Sequence, residues 1–345
     1  MFPVHRNDSC RSIMTSLNET VKVNRVIPIL TLTKSMLLAL IFTANIIGNT
    51  LCLLVIRRVR EMSSVTRLFM TSMTLSDLCT GFFLCIPSFG ASIVNRWPFG
   101  DIYCSINAIS VVCFTVTTAI SLLNVTIERF IAVTRPFQYH SLVTVRRARI
   151  VTIFVWMAAV GLSCMMSLLP GRTSTYSPYL HSCLGGPEDD EAMDIKGTII
   201  IIVFIITPFS LTGGMFVRVY LLARKHAAQI NAQTIAPYTK TRRSDKKAFE
   251  TFFIMTICLT VFYSPLVAVF VYENLTRSDL PTPFVYLAEV MALSNSVWNF
   301  VIYYARNTAF KNTTKRLLGI IFNVNLQTQD LANISSVSNA SALTL

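Results

Sequence analysis

The chain has 345 residues, of which 53% are hydrophobic and only 14% are charged. Soluble domains usually carry about 25% charged residues, so a soluble globular protein is excluded and long segments must avoid water. The formal net charge of +13 does not indicate nucleic-acid binding, because the lysines and arginines lie in short clusters between apolar segments, where positive charge orients a membrane protein.

Seven apolar segments follow one another along the chain. A helix needs roughly 20 apolar residues to cross the hydrocarbon core, and it satisfies its own backbone hydrogen bonds in lipid. The predicted spans are residues 35–56, 67–89, 102–133, 150–169, 195–222, 249–271 and 284–304. We therefore expect an all-α fold, a seven-transmembrane helix bundle that occupies residues 35–305.

The loops between the spans indicate the orientation of the bundle. Basic residues cluster on one side, in segments 57–60, 135–149, 224–247 and 311–316, whereas the acidic segment 188–191 lies on the other. Because cytoplasmic loops carry the excess of Lys and Arg, residues 1–34 are predicted to be an extracellular N-terminus. We expect a multi-pass protein of the cell membrane, with N-glycosylation sequons outside at Asn7, Asn18 and Asn274.

The chain after the seventh span divides into two parts. Residues 306–322 alternate apolar side chains such as Phe310 and Leu317 with basic ones such as Lys311 and Arg316, a pattern typical of an amphipathic helix in the membrane surface. Residues 323–345 are rich in Ser, Asn and Thr. They are predicted to form a disordered cytoplasmic tail.

Ionisable residues within a span are costly and are candidates for function. Asp77 lies in the second span, the pair Glu128 and Arg129 closes the third, and Glu289 lies in the seventh. The sequence has no HExxH, GxSxG or phosphate-loop motif, and its histidines lack the spacing of zinc ligands. We therefore expect no enzyme.

Further landmark residues occur in the same order as these spans. In the first four spans and their loops they are Gly48-Asn49, Leu75-Ser76-Asp77, Trp97 to Gly100, Cys104, Glu128-Arg129-Phe130 and Trp156. In the last three they are Pro208, Pro265 and Asn299 to Tyr303. Together they resemble the rhodopsin-like G-protein-coupled receptors over about residues 35–320. The resemblance implies a receptor that transmits an extracellular signal to a heterotrimeric G protein by rearranging its helices.

Five positions depart from the family pattern, and two of them, Ala119 and Leu259, replace bulkier partners of Pro208. Phe300 replaces the proline of the seventh-helix motif, so that helix should be less kinked. Tyr263 stands where the family has a tryptophan two residues before the helix-six proline, and Phe216 stands where helix five normally has a tyrosine. The resemblance therefore implies the activation switch of the family, with unusual residues at several of its positions.

The resemblance assigns the cytoplasmic residues to G-protein coupling. Arg129 would contact the G protein, and at rest Glu128 and Asp245 would hold its guanidinium. The alternative is an arginine that reaches lipid phosphates. The other implied switch residues are Phe130, Phe137, Asn299 and Tyr303. Phe137, in the second intracellular loop, would contact the G protein or else pack that loop against its own bundle.

Two further features are implied by the family. Cys104 and Cys183 would form a disulfide between the third helix and the second extracellular loop, with a pair of free thiols as the alternative. A central polar cluster would hold a sodium ion; it comprises Asp77, Thr118, Asn295, Ser296 and Asn299. The alternative for this cluster is a protonated Asp77 in a structural hydrogen-bond network.

Inward-facing positions on helices three, six and seven predict the ligand pocket. They are Val111, Val112, Thr115, Tyr263, Leu266, Phe270, Glu289 and Leu293. Val111 stands where monoamine receptors have an aspartate, which disfavours ordinary amine recognition. Leu293 stands where opsins have the lysine that binds retinal, so no retinal and no cofactor other than sodium is expected. Glu289 would pair with a cationic ligand group or, internally, with Lys196 or Arg172.

The ligand itself is not fixed by the sequence. Short fragments resemble prostanoid receptors and others resemble amine receptors, so we expect an orphan receptor for a small molecule or a peptide. Its partners would be that ligand, a G protein, arrestin, a receptor kinase and the lipid bilayer, without nucleic acid. The alternative, a transporter or channel, would need a polar path across the bilayer, and only the Asp77 cluster interrupts the apolar interior.

Overall fold

The computed structural model describes residues 7–59, 62–168, 171–178, 180–187, 206–232, 240–276 and 280–321, together with the single residues 199, 203 and 278. Its long helices are α1 (Asn7–Arg58), α2 (Ser64–Val94), α3 (Gly100–Thr134), α4 (Val145–Leu168), α5 (Thr207–Ala232), α6 (Lys240–Thr276), α7 (Thr282–Arg306) and α8 (Thr308–Ile321).

The helices confirm the predicted bundle. Six segments of the described chain are long and apolar enough to cross a membrane, namely Leu32–Arg58, Ser64–Val94, Gly100–Thr134, Val145–Ser167, Phe249–Glu273 and Thr282–Arg306. The fifth predicted span is described in part, as the apolar stretch Ser210–Leu222 of α5. The fold is therefore all-α, with seven transmembrane helices.

The two ends of the chain are described to different extents. α1 begins at Asn7, well before the predicted start of the first span at residue 35, so much of the N-terminal segment is helical. The side chains before residue 32, including those of the sequons Asn7 and Asn18, lie outside the described residues, as does the side chain of Asn274. Residues 322–345, which include the predicted tail, also lie outside them.

The outer surface of the bundle is apolar. On α4 the side chains of Ile153, Phe154 and Met157 are 64%, 72% and 69% exposed. A soluble protein rarely displays so large a contiguous apolar surface. These side chains have the composition expected of a helix that faces lipid.

The most extensive cluster of buried apolar side chains lies in the cytoplasmic half. Its largest fully buried members include Met70, Leu122, Val125, Phe252, Met255 and Phe310, from α2, α3, α6 and α8. Lipid tails are as apolar as these side chains, so van der Waals packing and interhelical hydrogen bonds, rather than the hydrophobic effect, hold the helices together.

α2 changes its winding within the membrane. A π-helical turn at Gly81–Cys85 shifts the register of its extracellular end. A Cβ at Gly81 would lie 2.6 Å from Asn45 Oδ1, so glycine permits the close approach of α1. Beyond the turn, the Ser92 hydroxyl hydrogen-bonds the Ser35 hydroxyl of α1 at 2.9 Å. The π turn therefore leads to an α2 face that is directed towards α1.

A β-hairpin covers the extracellular side. Strand β1 (Arg172–Ser177) pairs antiparallel with β2 (Ser182–Pro187), and Tyr176 lies opposite Cys183. Asn107 of α3 anchors the hairpin, because its carboxamide oxygen accepts hydrogen bonds from the Ser182 hydroxyl at 2.9 Å and from the Cys183 backbone N–H at 2.8 Å. Its amide group donates to the Phe83 carbonyl at 2.7 Å, so one residue connects the hairpin, α3 and α2.

α8 forms close to the predicted segment 306–322. Its Phe310 is fully buried, whereas Ile320 is exposed. Phe300 of α7, which replaces the family's proline, packs against the Phe310 ring with centroids 6.0 Å apart and lies 3.6 Å from the Cβ position of Gly48. The aromatic ring therefore fills space among α1, α7 and α8.

Candidate functional site

The Arg129 guanidinium is held at the cytoplasmic end of α3. It forms an ion pair with Glu128 and donates to the hydroxyls of Thr66 and Ser63, the latter at 3.2 Å. Glu128 is 2% exposed and accepts hydrogen bonds from Thr66 at 3.0 Å, from Ser63 at 3.3 Å and from the Tyr139 hydroxyl. Arg129 and its carboxylate are therefore joined to α2 and to the second intracellular loop.

Tyr139 contributes to this assembly from the short helix Tyr139–Leu142. Burial, together with its hydrogen bond to Glu128, raises the pKa of Tyr139 to about 12. The phenol therefore stays protonated at physiological pH and remains a hydrogen-bond donor to Glu128.

A cavity of about 220 Å³ lies beside Arg129 at the cytoplasmic end of the bundle. Lys247 of α6 and Arg306 of α7 add two more cations to its lining. Arg306 also donates to Glu250 of α6 at 3.2 Å. The cavity is consequently basic, and its surroundings join α6 to α7.

Aromatic rings connect α3, α5 and α6 near this cavity. Phe216 stacks in parallel on Phe253 with ring centroids 4.0 Å apart, and its ring lies 6.2 Å from that of Phe249. Phe130 packs on Phe249 from α3 at 6.4 Å. Where the family has a tyrosine hydroxyl, this chain therefore has a hydrophobic stack.

The other predicted coupling residues have different environments. Phe137 is fully exposed, which does not support the alternative that it packs its loop against the bundle. The Tyr303 hydroxyl accepts a hydrogen bond from Asn307 at 3.0 Å, and its ring packs edge-on against Phe310 at 4.9 Å. Asp245 lies on α6, with its side chain outside the described residues.

The predicted central cluster assembles around Asp77, which is 1% exposed. Its carboxylate accepts hydrogen bonds from the Thr118 hydroxyl at 3.2 Å and the Asn299 amide at 2.9 Å. Asn295 and Ser296 are buried on the same helix as Asn299. The residues named from sequence therefore meet where α2, α3 and α7 pack together.

α1 adds two asparagines to this cluster. The sequence does not identify either of them as a ligand. Asn49 donates to the Ser296 carbonyl at 3.0 Å. Asn45 is fully buried, and no described residue hydrogen-bonds either polar atom of its side chain. Asn295 Oδ1 likewise lacks a partner among the described residues. Such buried polar atoms favour a hydrated or ion-binding interior.

The extracellular side contains the predicted disulfide. Cys104 and Cys183 are bonded, which rules out the alternative of free thiols and ties β2 to the start of α3. Trp97 packs beside this bond with Tyr176, their ring centroids 6.0 Å apart. The hairpin is therefore fixed over the mouth of the bundle.

The predicted pocket residues are only partly brought together. Thr115 of α3 hydrogen-bonds the Tyr263 hydroxyl of α6 at 3.3 Å, so a tyrosine at the family's tryptophan position makes a polar link across the bundle. Leu266 packs against α7 and the hairpin turn. Val112 instead packs against the α3–α4 cluster around Ala159. Val111, Phe270 and Leu293 are partly buried.

Glu289 lies on α7, only 5% exposed. The sequence predicts Lys196 or Arg172 as its internal partner, but both side chains lie outside the described residues. In the described part of the chain, Lys34 of α1 approaches this region, because the Tyr286 hydroxyl, one helical turn before Glu289, donates to the Lys34 carbonyl at 2.9 Å. Lys34 is 6% exposed, and its ammonium lies 4.6 Å from the centre of the Tyr286 ring. Because residues 1–34 are predicted to be an extracellular terminus, the sequence does not indicate a role for this lysine.

Comparison with known proteins identifies the family. Residues 48–303 match the family described as 7 transmembrane receptor (rhodopsin family). The chain belongs to this family of G-protein-coupled receptors. Its relatives include the histamine H2 receptor of Cavia porcellus, which is 23% identical over 83% of this chain and 79% of its own length.

Other relatives of the receptor are similarly distant. The melatonin receptor type 1C of Gallus gallus is 22% identical over 79% of this chain and 78% of its own. The adenosine receptor A2a of Cavia porcellus is 27% identical over 79% of this chain and 69% of its own. As a member of this family, the receptor is a multi-pass membrane protein that responds to an extracellular ligand and couples to a G protein, and the family consists of receptors rather than enzymes.

Proposed function

We propose that this receptor is held at rest by the contacts of Arg129 and signals when α6 moves away from α3. The observation that carries the proposal is the assembly of Arg129 and Glu128 with Ser63, Thr66 and Tyr139 beside the basic cytoplasmic cavity. Charge-assisted hydrogen bonds of this kind are the strong ones. Their release exposes Arg129 to a G-protein segment that enters the enlarged cavity.

Two neighbouring features support the same mechanism. Phe137 is fully exposed on the second intracellular loop, where an apolar side chain is available to the G protein. Phe216 and Phe253 stack between α5 and α6, so movement of α6 requires this stack to be broken or shifted. A receptor kinase and arrestin are further partners in this proposal: the kinase would phosphorylate the Ser- and Thr-containing tail, and arrestin would bind the phosphorylated receptor.

The ligand in this proposal is a small molecule or a peptide bound at the extracellular ends of α3, α6 and α7. The names of three relatives, which refer to histamine, melatonin and adenosine, favour a small molecule. Ligand binding shifts a pre-existing equilibrium between two arrangements, and only its difference in affinity for them drives signalling. The Thr115–Tyr263 hydrogen bond links the pocket to α6.

The central cluster fits a sodium ion. Its available donors are hard oxygens, which suit small hard cations. They are the Asp77 carboxylate, the Thr118 and Ser296 hydroxyls and Asn295 Oδ1, which no described residue hydrogen-bonds. These residues would hold the ion, whose charge would compensate that of Asp77. The receptor's own contribution is to keep Asn299 hydrogen-bonded to Asp77, which ties α7 to α2.

The test of the coupling proposal is Arg129→Ala. Basal activation is measured with a panel of G-protein reporters in cells that display equal amounts of receptor at the surface. Arg129→Ala is expected to abolish activation without loss of surface display. The matched control is Arg146→Ala, which removes an exposed arginine at the start of α4 and should leave activation unchanged. Full signalling by Arg129→Ala would overturn the assigned role.

A further inference from the structure

The extracellular ends of α1, α2 and α7 enclose buried polar groups that the switch mechanism does not use. Glu289 Oε2 and the Ser88 hydroxyl have no hydrogen-bond partner among the described residues, although Glu289 is 5% and Ser88 1% exposed. A buried polar atom without a partner is costly, because it has lost its hydrogen bonds to water without replacement. Groups held in this way are suited to a ligand that satisfies them.

Ser88 and Glu289 belong to the same place in the bundle. Ser88 lies one helical turn from Ser92, whose hydroxyl bonds Ser35 of α1, so their shared α2 face is directed towards α1. The Tyr286 hydroxyl of α7 donates to the Lys34 carbonyl at 2.9 Å, and Glu289 lies one helical turn after Tyr286. Lys34, Glu289 and the α2 face that carries Ser88 therefore lie at the same end of the bundle.

The hairpin closes this place from outside. His181 is 3% exposed, and its Nε2 lacks a hydrogen-bond partner among the described residues. Burial, with a smaller effect of the Lys34 charge, lowers the pKa of His181 to about 4, so the ring is neutral at physiological pH. Burial, with a smaller effect of the Glu289 charge, raises the pKa of Tyr176. The Tyr176 hydroxyl contacts His181 Nδ1 at 3.2 Å, so the second ring nitrogen, Nε2, remains for a ligand.

The side chains of Lys34 and Glu289 are a base and an acid, and no ion pair joins them in the described part of the chain. The Lys34 ammonium lies instead over the Tyr286 ring, 4.6 Å from its centre. A simple cation attracted by Glu289 would be repelled by Lys34, and a simple anion attracted by Lys34 would be repelled by Glu289. A group that carries both charges satisfies both residues.

We propose that the ends of α1, α2 and α7 form a subsite for a zwitterionic ligand, in which an ammonium pairs with Glu289 and a carboxylate pairs with Lys34, as an α-amino acid would. The Ser88 hydroxyl and His181 Nε2 supply further hydrogen bonds to the carboxylate or the ammonium. The rest of the ligand extends towards the apolar residues of the pocket on α6 and α7. This inference rests on the proposed function, because the subsite is part of the receptor's ligand pocket.

The test compares three forms of each ligand skeleton on the purified receptor in lipid nanodiscs. The probes are L-phenylalanine, L-tryptophan and L-leucine, the amines obtained by removing each carboxylate, and the acids obtained by removing each ammonium. At least one amino acid is expected to raise the melting temperature saturably, with an affinity at least tenfold higher than its amine and its acid. No saturable shift with any amino acid, or equal affinity for an amine or an acid, overturns the proposal.

Variants assign the effect to the two charged residues. Glu289→Gln and Lys34→Met should each abolish the shift, whereas Asp101→Asn, which removes an exposed carboxylate at the extracellular start of α3, should retain it. If Glu289 instead forms an internal ion pair, Glu289→Gln will lower the melting temperature of the ligand-free receptor, and that result also overturns the proposal. Ser88→Ala should weaken the shift without loss of surface display, which keeps the test valid if a charge variant misfolds.

The binding assay separates this inference from the coupling proposal. Arg129→Ala lies at the opposite end of the bundle and should keep the amino-acid shift while losing G-protein activation. Loss of the shift in Glu289→Gln with normal signalling by Arg129→Ala would contradict the coupling proposal alone. Loss of signalling by Arg129→Ala with no amino-acid shift in any variant would contradict the zwitterion subsite alone.

Discussion

Removing the Glu128 charge should activate the receptor without a ligand. Glu128→Gln preserves the shape of the side chain but replaces a buried carboxylate that pairs with Arg129 and accepts hydrogen bonds from Thr66 and Tyr139. Hydrogen bonds to charged groups contribute roughly 1.5–3 kcal/mol each, so the resting arrangement should lose about 2–3 kcal/mol in total once the remaining amide contacts are allowed for.

The expected size of the effect follows from the two-state equilibrium. A change of about 1.4 kcal/mol shifts an equilibrium tenfold, so the active fraction relative to the resting fraction should rise about 30- to 140-fold. An active state populated at about 1% would then reach about 25–60%. The assay is basal GTPγS binding in membranes with matched receptor density.

Glu250→Gln is the matched control for this prediction. Glu250 also pairs with an arginine, Arg306, but both side chains are 37% exposed. Exposed ion pairs contribute about 0–1 kcal/mol, so the control should raise basal binding by at most about fivefold. Basal activity of Glu128→Gln no higher than that of Glu250→Gln would refute the role assigned to the Glu128–Arg129 contact.

Three other outcomes are expected. Phe216→Ala removes the ring stacked on Phe253. Since aromatic pairs contribute about 0.5–1.5 kcal/mol, basal G-protein activation should rise about two- to tenfold. Unchanged activation would show that the stack does not restrain α6. Asn107→Ala deprives the buried Cys183 N–H of its acceptor and should lower the free energy of unfolding by about 2–4 kcal/mol. The expected observation is a lower melting temperature. A melting temperature equal to that of the wild type would contradict the prediction. The pKa of His181 is lowered to about 4 from 6.5, so the unfolded chain binds more protons than the folded one between these pH values. The free energy of unfolding should therefore fall as the pH drops from 6.5 to 4. His181→Gln should show a shallower decline, and parallel plots of melting temperature against pH for the two proteins would contradict the prediction.

The sequence predicted those features that depend on one residue type at a family position. The disulfide of Cys104 with Cys183, the meeting of Asp77 with Asn299 and the pairing of Glu128 with Arg129 are present in the structure. Hydropathy placed the spans for a physical reason, because a helix that crosses lipid must be apolar over its whole length.

Contacts between residues on different helices and loops could not be predicted from the sequence. Lys34 was assigned to a polar terminus, although α1 extends upstream through it and brings it towards Glu289. Tyr139 begins a one-turn helix between α3 and α4, and nothing in its sequence context indicates that its hydroxyl reaches Glu128. The hairpin of the second extracellular loop was also missed, because its strands contain Ser, Thr and Gly rather than alternating apolar residues.

The central claim is that the receptor transmits its signal by opening its cytoplasmic end between α3 and α6. The most direct test is the distance between spin labels at Arg146→Cys, at the start of α4, and Arg243→Cys, near the cytoplasmic end of α6, measured by pulsed electron paramagnetic resonance with and without a bound heterotrimeric G protein. We expect the distance to increase on G-protein binding, while labels at Arg58→Cys and Arg316→Cys on α1 and α8 stay at a constant separation. A bound G protein with no change in the first distance would contradict the mechanism.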